Sequence, residues 1–242
     1  MTFKLRFPAS VCGALLAVST MASPGAAANL LTNGSFENPV LSTLSTNIAF
    51  YGNGSTAITG WTVDMRPGST SNYVQLTNNS QFGGLNASDG IQFLDLTGIT
   101  GRGAGVLSNA VATSSSLDYV VSFDVGAVFY TGSYGTATVD LLINGALAGS
   151  FTVQPPGSNG FNWQRFSYAF SGDNSPVRIG LYASFSQGSS DLGVGLDNVV
   201  LESRERQAPS VPEPASWAMM IGGFAIAGAA MRRRGAMTLR FA

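Results

Sequence analysis

The sequence predicts an all-β domain, a jelly-roll β-sandwich, flanked by an N-terminal signal peptide and a C-terminal transmembrane helix. Three observations predict it. From Asn29 to Glu202, short runs with two-residue alternation or β-branched residues recur between turn residues, and no helical stripe longer than a few turns interrupts them. The chain begins with charge, then an apolar run, then small residues. It closes on a charge-free apolar stretch backed by three arginines.

At the start, Lys4 and Arg6 precede VCGALLAVSTMA, and Ala26, Ala27 and Ala28 offer small residues for cleavage before Asn29. Residues 1–28 therefore read as a signal peptide, since the apolar run falls short of the ~20 residues a span needs. Cys12 lies inside it, with Val11 before it and Ala9 three back, which does not suit lipidation. After cleavage no cysteine remains, so the fold must stand on its core or on a metal.

Eleven runs follow as strands: LLTNGSFE, ITGWTVD, NYVQL, GIQFLDL, GVLSNAVA, DYVVSFDVGAVF, TATVDLLI, LAGSFTVQ, FNWQRFSYAF, PVRIGLYASF and GVGLDNVVLE. Tyr119, Val121, Phe123 and Val125 share one face by the two-residue period, and Phe166, Tyr168 and Phe170 share another. Asn144-Gly145, between two such runs, fits the type I′ turn of a tight hairpin. No internal repeat of fixed period appears. The sandwich is expected over 29–201, and the charged ESRERQAPS, 202–210, reads as a linker.

Ala215 to Met231 is 17 residues without a charge, roughly 25 Å of helix at 1.5 Å per residue and at the low end for a membrane span. Trp217 suits the lipid–water boundary at one edge. Arg232, Arg233 and Arg234 close the other, which holds that end and the tail 235–242 on the cytoplasmic side and leaves the domain outside. Pro212 and Pro214 keep the approach to the span extended.

Composition removes several function classes. The stretch from Asn29 to Arg206 holds six arginines, no lysine and twelve acids, a poor balance for binding nucleic acid. The chain has no histidine, so the usual imidazole base is absent. The mature chain also lacks a cysteine nucleophile and a Schiff-base lysine. Carboxylate-pair glycan hydrolysis remains open, with Asp89, Asp95, Asp124 and Asp140 available. GRGAG, Gly101 to Gly105, lacks the lysine and following helix of a phosphate loop.

Two family resemblances add to this reading. Val211-Pro212-Glu213-Pro214, the apolar helix and Arg232-Arg233-Arg234, in that order, resemble the PEP-CTERM sorting signal of Gram-negative bacteria; the eight-residue tail GAMTLRFA is longer than that signal's usual end. The resemblance implies an exosortase as partner, cleavage near Pro-Glu-Pro, and delivery to the cell surface or exopolysaccharide matrix. NLLTNGSFENP, ITGWTV, DGIQFLDL and GLDNVVLE, in order, resemble galactose-binding-like jelly rolls of extracellular carbohydrate-binding modules. That resemblance implies a structural calcium (Ca2+) between first and last strands, where Glu37 and Asp197 are the matching positions; two carboxylates alone do not complete a calcium shell.

Sugar-binding sandwiches stack aromatic faces on pyranose rings. Trp61, Tyr73, Phe129, Tyr130, Tyr134, Trp163 and Tyr182 are the candidates. Trp61 reads as core. Tyr130 and Tyr134, in a Gly-rich loop, come first, with Trp163 at a strand start beside them. The expected protein is thus an exported, non-catalytic surface or matrix protein that binds extracellular polysaccharide or serves structurally. Its C-terminal helix meets the membrane before processing. The alternatives are a carboxylate-dependent glycan hydrolase and a purely structural surface protein.

Overall fold

The computed structural model describes residues 28–41, 47–82, 84–97, 101–130, 133–185, 193–206 and 214–234. Apart from Ala28, the expected signal peptide lies outside them, as do Val211, Pro212, Glu213 and the tail 235–242. The strands are β1 (Ile48–Gly52), β2 (Trp61–Met65), β3 (Tyr73–Asn78), β4 (Gln92–Asp95), β5 (Ala104–Ser108), β6 (Leu117–Tyr130), β7 (Ser133–Tyr134), β8 (Ala137–Ile143), β9 (Ala146–Val153), β10 (Gly160–Ser171), β11 (Ile179–Ala183) and β12 (Val194–Glu205). A helix, α1 (Pro214–Arg234), follows. The strands form two antiparallel sheets, a larger one in the order β1-β3-β4-β12-β6-β10, with β7 against β6, and a smaller one in the order β2-β5-β11-β8-β9. The chain winds repeatedly from one sheet to the other, and the two inner faces make one core.

The two-residue alternation decides what enters that core. From β6, Tyr119, Val121, Phe123, Val125 and Ala127 point in and are buried; β8 answers with Val139 and Leu141, and β11 with Ile179 and Leu181. Burying a side chain of this size is worth about 1.5–3 kcal/mol. In β12 the inward set changes parity, from Val194 and Leu196 to Val199 and Leu201. A register shift between Asp197 and Val200, with Asn198 at φ 50°, makes that change. Asp197, next to inward Leu196, stands on the outer face just before the shift. Between β8 and β9, Asn144 and Gly145 take φ values of 49° and 83°, the pair of positive angles that a type I′ turn requires.

Three expectations are corrected. LLTNGSFE is not a strand: Asn33 and Phe36 take positive φ, 55° and 54°, which breaks an extended run. The segment is instead laced to β12 by Leu30 N–H to Leu201 O and Val199 N–H to Gly34 O, both 2.8 Å. Ile48–Gly52, absent from the expected strands, forms β1 at the sheet edge, where partial exposure relaxes the apolar pattern. The sandwich also does not stop at 201. β12 continues to Glu205, with Glu205 opposite Leu117, and Arg206 Nε donates to Asp118 Oδ1 at 3.1 Å. The charged residues at 202–206 read as linker because this strand end is solvated, so its side chains need not be apolar.

The expected span at 215–231 is helical within α1, and the side chains of Trp217, Met219, Met220, Ile221, Phe224, Ile226 and Met231 are exposed. Among the described residues no helix is long and apolar enough to cross a membrane.

Candidate functional site

Each sheet presents an outer face, and on each an aromatic ring lies over a pair of glycines. On the larger sheet Trp163 stands in one register row with Gly126 and Gly195. A Cβ on either glycine would meet the indole at 2.7 Å, so only glycine lets the ring lie down on the sheet. Phe161 and Phe93 pack against it at 4.7 and 6.0 Å between centroids. Residues 84–90 pack against this cluster: Leu85 is buried, and Trp163 Nε1 donates to Asn86 O at 2.8 Å. Trp163 is therefore half-buried in an aromatic cluster on the outer face of the sheet. Tyr130, at the end of β6, makes an edge contact with Phe82 at 5.6 Å. The side chain of Tyr134 lies outside the described residues. Trp61 is core as expected, its Nε1 donating to Asn33 O at 3.0 Å.

Beside Trp163 runs a row of charge. Asp124, Arg165 and Asp197 are cross-strand neighbours on β6, β10 and β12. Arg165 Nη1 donates to Asp124 Oδ1 at 3.0 Å. Asp197 is fully buried, and its Oδ2 accepts from Ser88 N and Asp89 N, both 2.9 Å, while Oδ1 accepts from Asn198 N at 2.7 Å. The Ser88 hydroxyl lies 2.8 Å from Asp124 Oδ2 and 3.1 Å from Asp197 Oδ2. Burial pushes the Asp197 carboxyl up to about 7, against the donors that favour its charge.

Glu37 grips the same turn further along, its Oε1 accepting from Ile91 N at 2.7 Å and Gln92 N at 2.9 Å. The two residues matched to the expected calcium site thus hold Ser88–Gln92 between them. Calcium takes oxygen ligands, whereas both Asp197 oxygens and Glu37 Oε1 face N–H and O–H donors, a poor fit to a cation shell. Among the described residues, no group of three or more His, Cys, Asp or Glu gathers to hold a metal.

The outer face of the smaller sheet is built differently. Asp64, Gly105, Tyr182, Asp140 and Ser150 form one register row across all five strands. The Tyr182 ring lies over Gly105 and Gly180, where a Cβ would meet it at 2.6 Å. Its hydroxyl donates to Asp64 Oδ2 at 2.7 Å, and burial together with that acceptor keeps the phenol protonated far above its ordinary range. Arg66 Nη2 donates to Asp140 Oδ2 at 2.8 Å, and Ser150 Oγ donates to Asp140 Oδ1 at 2.7 Å. The Arg66 guanidinium stands 5.2 Å from the Tyr182 ring centre and 4.5 Å from that of Phe185.

Next to this row opens a cavity of about 390 Å³ lined by Asp64, Leu107, Asn144, Gly145, Arg178 and Tyr182. It places a carboxylate, a guanidinium and an amide around an apolar wall. Its volume falls among small-ligand pockets, about 300–1,000 Å³. Of these residues the sequence suggested only Tyr182 as a binding aromatic. Asp64 and Arg178 carry no local motif; only strand register and the β8–β9 turn bring them to one cavity.

Residues 210–234 match the PEP-CTERM protein-sorting motif, and the chain carries that signal. No curated protein matches the chain. Among solved structures the chain is similar to the CBM22-1 xylan-binding domain from Paenibacillus barcinonensis Xyn10C, at 16% identity and a TM-score of 0.41, over 76% of this chain and 100% of that one. It is also similar to TmCBM61 in complex with β-1,4-galactotriose, at 16% identity and a TM-score of 0.44, over 73% of this chain and 99% of that one. A third similarity is to arabinose-bound MgGH51 α-L-arabinofuranosidase, at 15% identity and a TM-score of 0.42, over 75% of this chain; the match spans 27% of that longer chain.

Proposed function

We propose that this is an exported, non-catalytic protein of the bacterial surface or exopolysaccharide matrix that binds carbohydrate on the outer face of its smaller sheet. The sorting motif at 210–234 supports the address, with exosortase as the processing partner. The cavity between Asp64, Asn144 and Arg178 is the observation that carries the binding reading. A sugar ring presents hydroxyls that both donate and accept around its edge. A carboxylate that accepts and a guanidinium that donates, set about Leu107 and Tyr182, answer both demands. Tyr182 serves as a wall here, because its ring is buried against Gly105 and Gly180.

The apolar side chains exposed on α1 and the arginines at its end support lodging in lipid before processing, with the sandwich outside. Val211, Pro212, Glu213 and Pro214 are the segment offered for cleavage.

The test is a glycan array probed with the whole protein, followed by Asp64→Asn and Arg178→Gln. Each substitution is expected to weaken binding at least tenfold, while Tyr130→Ala and Tyr134→Ala leave it unchanged. Loss of binding in the tyrosine variants alone would move the site to the end of β6. Absence of glycan binding would leave the structural surface protein as the better reading. Mass spectrometry of the protein recovered from cells checks the address; a C-terminus ending near Val211–Pro214 is expected, and an intact one would count against processing.

A further inference from the structure

Four strands bound the two sheets, and three of them carry a feature that discourages pairing with another chain. β1 and β2 are five residues each. β9 is broken by a register shift opposite Leu141 and Leu142, which leaves Ala148 unpaired. β10 is different. Its 12 residues stand in unbroken register with β6, from Gly160 opposite Phe129 to Ser171 opposite Asp118. Among the described residues no strand pairs with its other edge. It contains no proline and one charge, Arg165, whose guanidinium is drawn across the sheet by Asp124 Oδ1 at 3.0 Å and Asn198 O at 3.1 Å. Ser167, Ala169 and Ser171 are exposed on its outer face, and Phe166, Tyr168 and Phe170 are half-buried on its inner face.

We propose that β10 pairs antiparallel with β10 of a second copy of this chain, about a two-fold axis at Ser167. A two-fold contact must be self-complementary, and the strand meets that demand in this register. Phe166 comes opposite Tyr168 on the inner side, a favourable aromatic cross-strand pair. Arg165 comes opposite Ala169 on the outer side, so the strand's one charge never faces its own copy. Faces are preserved, because residues opposite each other in an antiparallel pair point the same way. Two sandwiches would then share one continuous sheet. An edge contact of this length is small beside the ~1,200 Å² of a stable interface, so pairing depends on concentration and is favoured where copies crowd. This inference does not rest on the carbohydrate reading.

Cysteine placement tests it in the full chain in detergent, with Cys12→Ser as background. Ser167→Cys is expected to give a disulfide-linked dimer on mild oxidation, since opposed Cα atoms lie about 4.5–5.5 Å apart. Ser171→Cys is expected not to, because its two copies stand about 26 Å apart along the strands. Sedimentation velocity is expected to show self-association at least tenfold weaker in Ser167→Lys, where two ammonium groups would meet, with an unchanged melting temperature. Mixing Ser167→Lys with Ser167→Glu is expected to restore it. A protein that stays monomeric at every concentration, cross-links equally through positions 167 and 171, or associates undiminished as Ser167→Lys overturns the proposal.

Discussion

Asp197 sits between opposing demands. Its hydrogen bonds from Ser88, Asp89 and Asn198 favour the carboxylate, while full burial favours the acid, and burial prevails. The unfolded chain releases this proton near 3.8 and the folded protein near 7. Between those values the folded state holds more protons, so stability should fall as pH rises, by at most about 1.4 kcal/mol per unit. Urea midpoints taken from pH 4 to pH 8 are expected to decline through this window, and Asp197→Asn is expected to flatten the decline. Arg66 poses the companion case. Its head is held between Asp140, Tyr182 and Phe185, and its Nε is buried without a partner. Arg66→Met should cost about 3–5 kcal/mol by stranding the Asp140 carboxylate, and Arg66→Met with Asp140→Leu should recover most of that in chemical denaturation. Neither residue announced these roles in sequence. Asp124 and Asp95 could be placed outward by alternation, but the loop that covers Asp124 comes from elsewhere in the chain.

At the scale of elements, legibility tracked how local the signal was. The β8–β9 hairpin was readable because Asn144-Gly145 alone suits its two positive φ angles. Gly145→Ala should therefore cost about 1 kcal/mol from backbone strain, since nothing lies within 4 Å of the added methyl. Thermal melts of that variant check it, and a loss several times larger would mean the turn bears tertiary contacts. The long strands β6 and β10 were equally plain from their alternation. LLTNGSFE deceived because its apolar residues resemble a strand, while Asn33 and Phe36 turn the chain to seat Phe36 against Trp61, 5.4 Å between ring centres. The charged end of β12 deceived in the opposite sense, since its pairing with β6 needs backbone and no apolar side chains.

Over the whole molecule, the termini of the sandwich are joined without a disulfide. Asn29 bridges to β12, its Nδ2 donating to Val199 O and its Oδ1 accepting from Leu201 N, both at 2.9 Å, across some 170 residues of sequence. Glu37 and Asp197 add a clamp on Ser88–Gln92 through N–H donors. A chelator is thus expected to leave the melting temperature of the purified protein unchanged; a drop of several degrees, reversed by added calcium, would restore a metal to that clamp. The sequence by itself determined the sorting signal, the all-β class and most strands, because charge order, apolar length and two-residue alternation are properties of contiguous residues. Only the tertiary structure decided that Trp163 lies flat on two glycines in an aromatic cluster, that Asp64 and Arg178 share a cavity, and that no described strand pairs with the outer edge of β10. Those outcomes depend on register and on a bulge in β12, where side chains from distant segments compete for the same space and the same hydrogen bonds.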